Sequence, residues 1–178
     1  MEFLLSVFHH IGNYIPFFLI FVTFLLLWNK PKLSIFYFVG LILNSIINIS
    51  LKGFFQQARP SDDAKLLKIA LKNGQQTIFK NGIPYNIFGM PSGHAQCVFY
   101  TTFFILFALK NKYIFIAYFL FSLLTCFQRV YYNYHTVFQV FVGAIIGSMF
   151  AYFIYYMARQ KIMGKLLPRK EDNGPKYN

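Results

Sequence analysis

Long apolar runs, separated by short basic links, set the pattern of this chain. A helix that crosses a bilayer needs about 20 mostly apolar residues. Five segments reach or approach that length: 11–28, 33–51, 92–109, 113–128 and 137–157. The fourth is short and draws on its flanks. Residues 1–10 form a candidate sixth, surface-lying piece. Lipid offers the backbone no hydrogen-bond partners, so each segment is predicted to be a helix that satisfies itself. A barrel would need alternating runs of roughly ten residues, and the continuous Phe, Leu and Ile runs do not alternate. The predicted fold is an all-α integral membrane bundle of five to six transmembrane helices, a single domain over 1–178.

The long connection after the second span has a pattern of its own. Ser61-Asp62-Asp63 follows Pro60 and reads as a helix start. Lys65, Lys68 and Lys72 then share one helical face, and Leu66, Leu67, Ala70 and Leu71 the other, until Asn73-Gly74 ends the run. Two readings stand: an amphipathic helix lying at the membrane surface, or a solvated loop helix. Farther on, QTIF and IPYNIF flank Lys80-Asn81-Gly82, which predicts a small hairpin. There is no internal repeat and no linker, and only the last ten residues are expected to be disordered.

Composition narrows the class. Apolar residues make up 57% of the 178 and charged residues 12%, roughly half the charge fraction of a soluble domain. With a mean hydropathy of +0.47 and 24 Phe plus 13 Tyr, a water-soluble enzyme, a disordered tail and a collagenous chain are excluded. The net charge of +12 then reads as membrane orientation rather than nucleic-acid binding. The links after the first and third spans carry Lys30, Lys32, Lys110 and Lys112, and the tail 158–178 carries six more cations. An odd number of spans puts all ten on one face, with Glu171 and Asp172, for a net +8 against +4 on the other. The basic face is expected to be cytoplasmic. The N-terminus, loop 60–91 and the link before the fifth span share the lumenal or periplasmic face. An endoplasmic reticulum and a bacterial inner membrane both fit. Residues 1–10 lack a cationic region and an A-x-A site, so no cleaved signal peptide is expected. Cys97 and Cys126 lie in apolar runs and read as buried thiols.

Polar residues inside apolar helices are costly and mark function or packing. Asn44, Asn48, Lys52, Gln56 and Arg59 recur at helical spacing on the second span. Lys52 and Arg59 either snorkel to headgroups or grip one polyanion between them. At the lip of the third span, Pro91 suits a helix start and Ser92 a cap. Gly93 lets the backbone approach a ligand, and the free first-turn amides make an anion site. His94 beside it is either structural or a proton donor. Arg129 closes the fourth span and supplies a planar fork for phosphate oxygens. His135 follows six residues later, and Gln139, at i+4, can hold one nitrogen of its ring and leave the other free to attack. Gly143, Gly147 and Ala151 form a small-residue face whose usual meaning is packing within the bundle and whose rarer one is a homodimer seam.

KGFFQQARP fits K-x6-R-P, MPSGH fits P-S-G-H, and QRVYYNYH fits R-x5-H. In this order among the spans, the three motifs resemble the type 2 phosphatidic acid phosphatase superfamily, over roughly residues 33–157. The resemblance implies a helical, metal-independent phosphohydrolase that uses no cofactor. It implies His135 as nucleophile and His94 as general acid. Lys52, Arg59 and Arg129 would clamp phosphate, with Ser92 and the Gly93 amide as further donors. Gln128 stands where members commonly have Ser, and Gln139 where they commonly have Asp. A glutamine can orient His135 but cannot stabilise an imidazolium by charge. The run RVYYNYHTVFQV is similar to the dolichyl diphosphatase branch, which tolerates that Gln. The implied substrate is a polyprenyl or dolichyl diphosphate, cleaved to its monophosphate. Phosphatidic acid, phosphatidylglycerol phosphate and lipid A phosphates meet the same physical requirements. So does a phosphotransferase on the same scaffold, and a non-catalytic homologue remains an alternative. A transporter would call for paired broken helices or repeat symmetry, and neither is present. The expected partners are the lipid phosphate and membrane lipids.

Overall fold

The computed structural model describes residues 2–60, 64–80 and 83–163. The Ser61-Asp62-Asp63 helix start, the Asn81-Gly82 turn, Met1 and the tail 164–178 lie outside them. In chain order come α1 (Glu2–Leu26), α2 (Pro31–Phe55), α3 (Ala64–Asn73), β1 (Thr77–Lys80), β2 (Ile83–Asn86), α4 (Gly93–Leu109), α5 (Lys112–Tyr131) and α6 (Val137–Met163). Apart from the two short strands, the described secondary structure is helical. Four of these helices are long and apolar enough to cross a membrane, and α4 is a shorter apolar helix. The chain is an integral membrane helical bundle.

The bundle is built around α4. Its packing against α6 is the most extensive in the fold, and α1, α2 and α5 contact it as well. Close approach of α6 comes from the small-residue face. A Cβ on Gly143 would sit 2.6 Å from the Ser92 carbonyl oxygen, and one on Gly147 would collide with the Gln96 carbonyl oxygen. Ala151 continues the face and is fully buried. This face is therefore taken up by α4. The core beneath holds Leu19, Tyr37, Tyr100, Phe104 and Ile154. The Tyr37 and Tyr100 rings stack at 5.7 Å, and the Tyr100 hydroxyl donates to the Tyr37 carbonyl at 2.9 Å. Outward-facing Phe17, Phe21, Ile42, Ile46, Leu120 and Phe141 are exposed, as a lipid-facing surface requires.

Three local differences from the sequence reading matter. The segment expected to lie on the surface is instead the first part of α1, continuous from Glu2 through Pro16 to Leu26. Its missing proline hydrogen bond is tolerable in a packed membrane helix. Next, α2 ends at Phe55, where Gln56 turns left-handed at φ 47° and donates its N–H to the Lys52 carbonyl. Arg59 is thus in the connection after the helix and not on its polar stripe. Finally, α4 begins at Gly93 with Ser92 as N-cap residue, but the Ser92 side chain makes no cap bond. The hairpin is present, antiparallel, with Thr77 opposite Asn86 and Ile78 opposite Tyr85. Gly74 ends α3 at φ 61°, a conformation glycine adopts without strain.

Candidate active site

The inward stripe of α2 is held to α4 by amides. Gln96 Nε2 donates to both the carbonyl and the Oδ1 of Asn44 at 2.9 Å. Asn48 Nδ2 donates to Gln96 Oε1 at 2.7 Å and to the Pro91 carbonyl at 3.3 Å. This buried network sets the height of α2 against the start of α4. One turn on, Lys52 is buried and its Nζ donates to the Phe88 carbonyl at 2.6 Å. Gly93 faces Asn48, whose Oδ1 would lie 3.1 Å from an added Cβ. The Ser92 N–H donates to the Gln139 carbonyl at 3.0 Å, which ties the start of α4 to the start of α6.

His135 sits in the α5–α6 connection, nearly fully buried, and its tautomer follows from backbone groups. Gln139 Nε2 lies 2.8 Å from the Ala58 carbonyl oxygen, which can only accept. Gln139 Oε1 lies 3.2 Å from the Thr136 N–H, which can only donate. The amide is therefore oriented with its oxygen toward His135, whose Nδ1 is 3.2 Å away. Nδ1 carries the proton, and Nε2 keeps its lone pair. Arg59 Nη1 points an N–H at that lone pair from 3.4 Å. The Arg59 guanidinium is itself placed by a 3.1 Å bond from Nε to the Asn86 carbonyl and by the Tyr85 ring, 4.8 Å away. Gln57 completes the arrangement, its Oε1 accepting from Gln139 Nε2 at 2.9 Å. The pKa of His135 lies far below the ordinary imidazole value. Burial is the largest cause, followed by the charges of Arg59 and Lys52, and the Gln139 bond acts in the opposite sense.

Arg129 arrives from the end of α5. Its Nη2 donates to Asn13 Oδ1 on α1, and its guanidinium lies 4.9 Å above the Tyr134 ring. The Tyr134 hydroxyl bonds His9 Nε2 at 2.8 Å. At this end of the bundle two buried donor atoms have no hydrogen-bond partner among the described residues: Ser92 Oγ and Arg129 Nε. Such groups are costly to bury, and a phosphate oxygen would satisfy both. His94 lies within electrostatic reach of Lys52, Arg59 and Arg129, as does His135. No acid occurs between residues 64 and 163, so the segments that supply Ser92, His94, Arg129 and His135 add no carboxylate. Among the described residues no three His, Cys, Asp or Glu side chains gather.

The structure thus brings Lys52, Arg59, Ser92, Gly93, His94, Arg129, His135 and Gln139 to one end of the bundle. Gln56 stays outside, exposed at the α2 terminus. Six participants were not singled out from sequence: His9, Asn13, Gln57, Tyr85, Gln96 and Tyr134. His9 and Asn13 do sit at i and i+4 in an apolar helix, a spacing that marks a shared polar face. Gln128, the residue in the usual serine position, is fully buried and donates to the His9 carbonyl at 3.3 Å. It packs where a Cβ on Gly12 would collide with it.

Two known proteins are similar to this chain in sequence. Lipid phosphate phosphatase gamma of Arabidopsis thaliana is 29% identical over 157 residues, which is 82% of this chain and 59% of that protein. Dolichyldiphosphatase of Saccharomyces cerevisiae is 33% identical over 121 residues, 62% of this chain and 45% of that protein. The chain spans about half the length of these curated relatives. No solved structure matches it. The PAP2 superfamily profile matches residues 33–163, a stretch that holds all three motifs and every site residue except those of α1. On that match the chain belongs to the PAP2 superfamily.

Proposed function

We propose that this protein is a metal-independent membrane phosphatase that removes the terminal phosphate of a polyprenyl or dolichyl diphosphate. His135 Nε2 donates its lone pair to the terminal phosphorus, and the bridging P–O bond breaks. His94 gives its proton to the departing monophosphate oxygen. Water then attacks the phosphohistidine and yields its proton to His94. The N–P bond breaks, and inorganic phosphate leaves with the His135 lone pair restored. Lys52, Arg59, Arg129, Ser92 and the Gly93 amide stabilise charge on the equatorial oxygens. Gln139 keeps the attacking nitrogen unprotonated.

One observation carries the reading: the Gln139 amide, pinned by Ala58 and Thr136, presents the His135 lone pair to a cation-rich pocket. Two features favour a lipid. The site lies in a bundle with a lipid-facing surface, and a cleft of about 140 Å³ between α2 and α4 runs outward from Gly93 past Ser45 and Ile49. The dolichyldiphosphatase relative supports the diphosphate. The basic links at the opposite end favour a site on the lumenal or periplasmic face.

Purified protein should release phosphate from a polyprenyl diphosphate with chelator present, and brief incubation with labelled substrate should leave acid-labile phosphate on His135. His135→Asn should lose both. Phosphatidic acid, phosphatidylglycerol phosphate and lipid A phosphate belong in the same panel, since the relative named a lipid phosphate phosphatase points to that wider class. Turnover of none of these, with the His135 variant matching the parent, would overturn the reading.

A further inference from the structure

The opposite end of the bundle holds a second cation cluster that the phosphatase reading does not use. α4 runs 17 residues from Gly93 to Leu109, about 25 Å at 1.5 Å per residue, so this end is remote from His94 and His135. A cavity of about 560 Å³ opens there, lined by Lys110, Lys112 and Arg159 and walled by Phe107, Phe115 and Tyr152. The three cations come from three elements. Lys110 is the left-handed C-cap of α4, Lys112 is the first residue of α5, and Arg159 lies near the end of α6. Between the two lysines, Asn111 Oδ1 accepts the Tyr113 and Ile114 amides. Those two amides of the first turn of α5 are therefore committed, and the three side chains add positive charge at this end. Arg159 lies 5.9 Å from the Tyr155 ring, which also lines the cavity. No lining residue is acidic.

We propose that this cavity binds the phosphate headgroup of an anionic phospholipid, with the first methylenes of its chains against Phe107, Phe115 and Tyr152. Charge complementarity selects an anion. The apolar wall and the position at the ends of membrane helices select a lipid over a free ion, because a free phosphate gains nothing from aromatic side chains. Cations that merely snorkel would spread along the surface, whereas these converge on one walled space. The assignment stands independently of the reaction at the other end.

The test is lipid titration of detergent-purified protein by native mass spectrometry, with phosphatidylglycerol, phosphatidylcholine and inorganic phosphate as separate arms. Phosphatidylglycerol should bind saturably and phosphatidylcholine weakly. Each cation near a membrane surface contributes roughly fivefold, so K110Q/K112Q/R159Q should weaken phosphatidylglycerol binding on the order of a hundredfold. K110Q/K112Q, which changes only the two lysines at the α4–α5 turn, should weaken it roughly 30-fold. Phe115→Ala should weaken the lipid arm and leave the phosphate arm unchanged. Equal binding of the two lipids, unchanged binding by the double variant, or inorganic phosphate binding as tightly as the lipid would each overturn the proposal.

Discussion

Replacing Gln139 by Leu tests the mechanism most directly. The substitution keeps the side-chain bulk and removes the amide that holds His135 Nδ1–H at 3.2 Å. In the free enzyme that bond joins neutral groups and contributes about 1 kcal/mol. In the proposed reaction the ring takes on positive charge once Nε2 bonds phosphorus, and a bond from a charged donor is worth about 1.5–3 kcal/mol. The difference, about 0.5–2 kcal/mol, is realised only in the transition state. It corresponds to a fall in kcat of about 2- to 30-fold with KM within roughly twofold. The assay is phosphate release from a polyprenyl diphosphate in mixed micelles, read beside the melting temperature of the same preparation. The variant also strands the Ala58 carbonyl and the Thr136 N–H, so some stability is lost. Gln57→Leu serves as the control for that. It removes one of the two acceptors of Gln139 Nε2 and leaves both backbone anchors, so kcat should fall less than about threefold. A folded Gln139→Leu protein with parental kcat, or with a change confined to KM, would refute the tautomer argument.

Three other outcomes follow from the same geometry. Asn13→Leu removes the acceptor of Arg129 Nη2 and should cost about 10- to 150-fold in kcat/KM, carried mainly by KM, with Asn13→Asp restoring most of it; unaltered KM would sink this idea. Gly89→Ala should cost about 1–3 kcal/mol in stability and reduce turnover, because its Cβ would lie 2.7 Å from Gln139 Oε1 and 3.0 Å from the Ala58 carbonyl; melting curves and kcat check it together. His135 has its folded pKa lowered below the unfolded value, so its contribution to stability is complete above about pH 6.5 and is lost as pH falls toward the folded value. Relative to His135→Gln, the parent should lose about 2 kcal/mol between pH 8 and pH 5, and parallel melting-versus-pH curves for the two proteins would contradict the burial argument.

The sequence alone determined the class of fold and picked out most residues of the candidate site. Apolar runs of membrane length must become helices, because lipid gives their backbone no other partner. That consequence depends on local composition and the solvent, so it can be read without knowing how the helices pack. The spacing of Lys52, Ser92, His94, Arg129, His135 and Gln139 within recognisable motifs has the same local character. Tertiary structure decided how those residues meet. Arg59 leaves the helical stripe because α2 stops at Phe55, and a glutamine at a left-handed cap has no sequence signal comparable to glycine. Asn13 reaches Arg129 across 116 positions of chain, on a helix outside the span matched by the superfamily profile. Gln57 reaches Gln139 across 82. In a bilayer the hydrophobic pattern separates protein from water but does not choose which apolar faces adjoin, since lipid tails are as apolar as the side chains. That choice rests on small residues such as Gly143 and Gly147 and on buried amides such as Gln96. Their partners become visible only when the helices are in place.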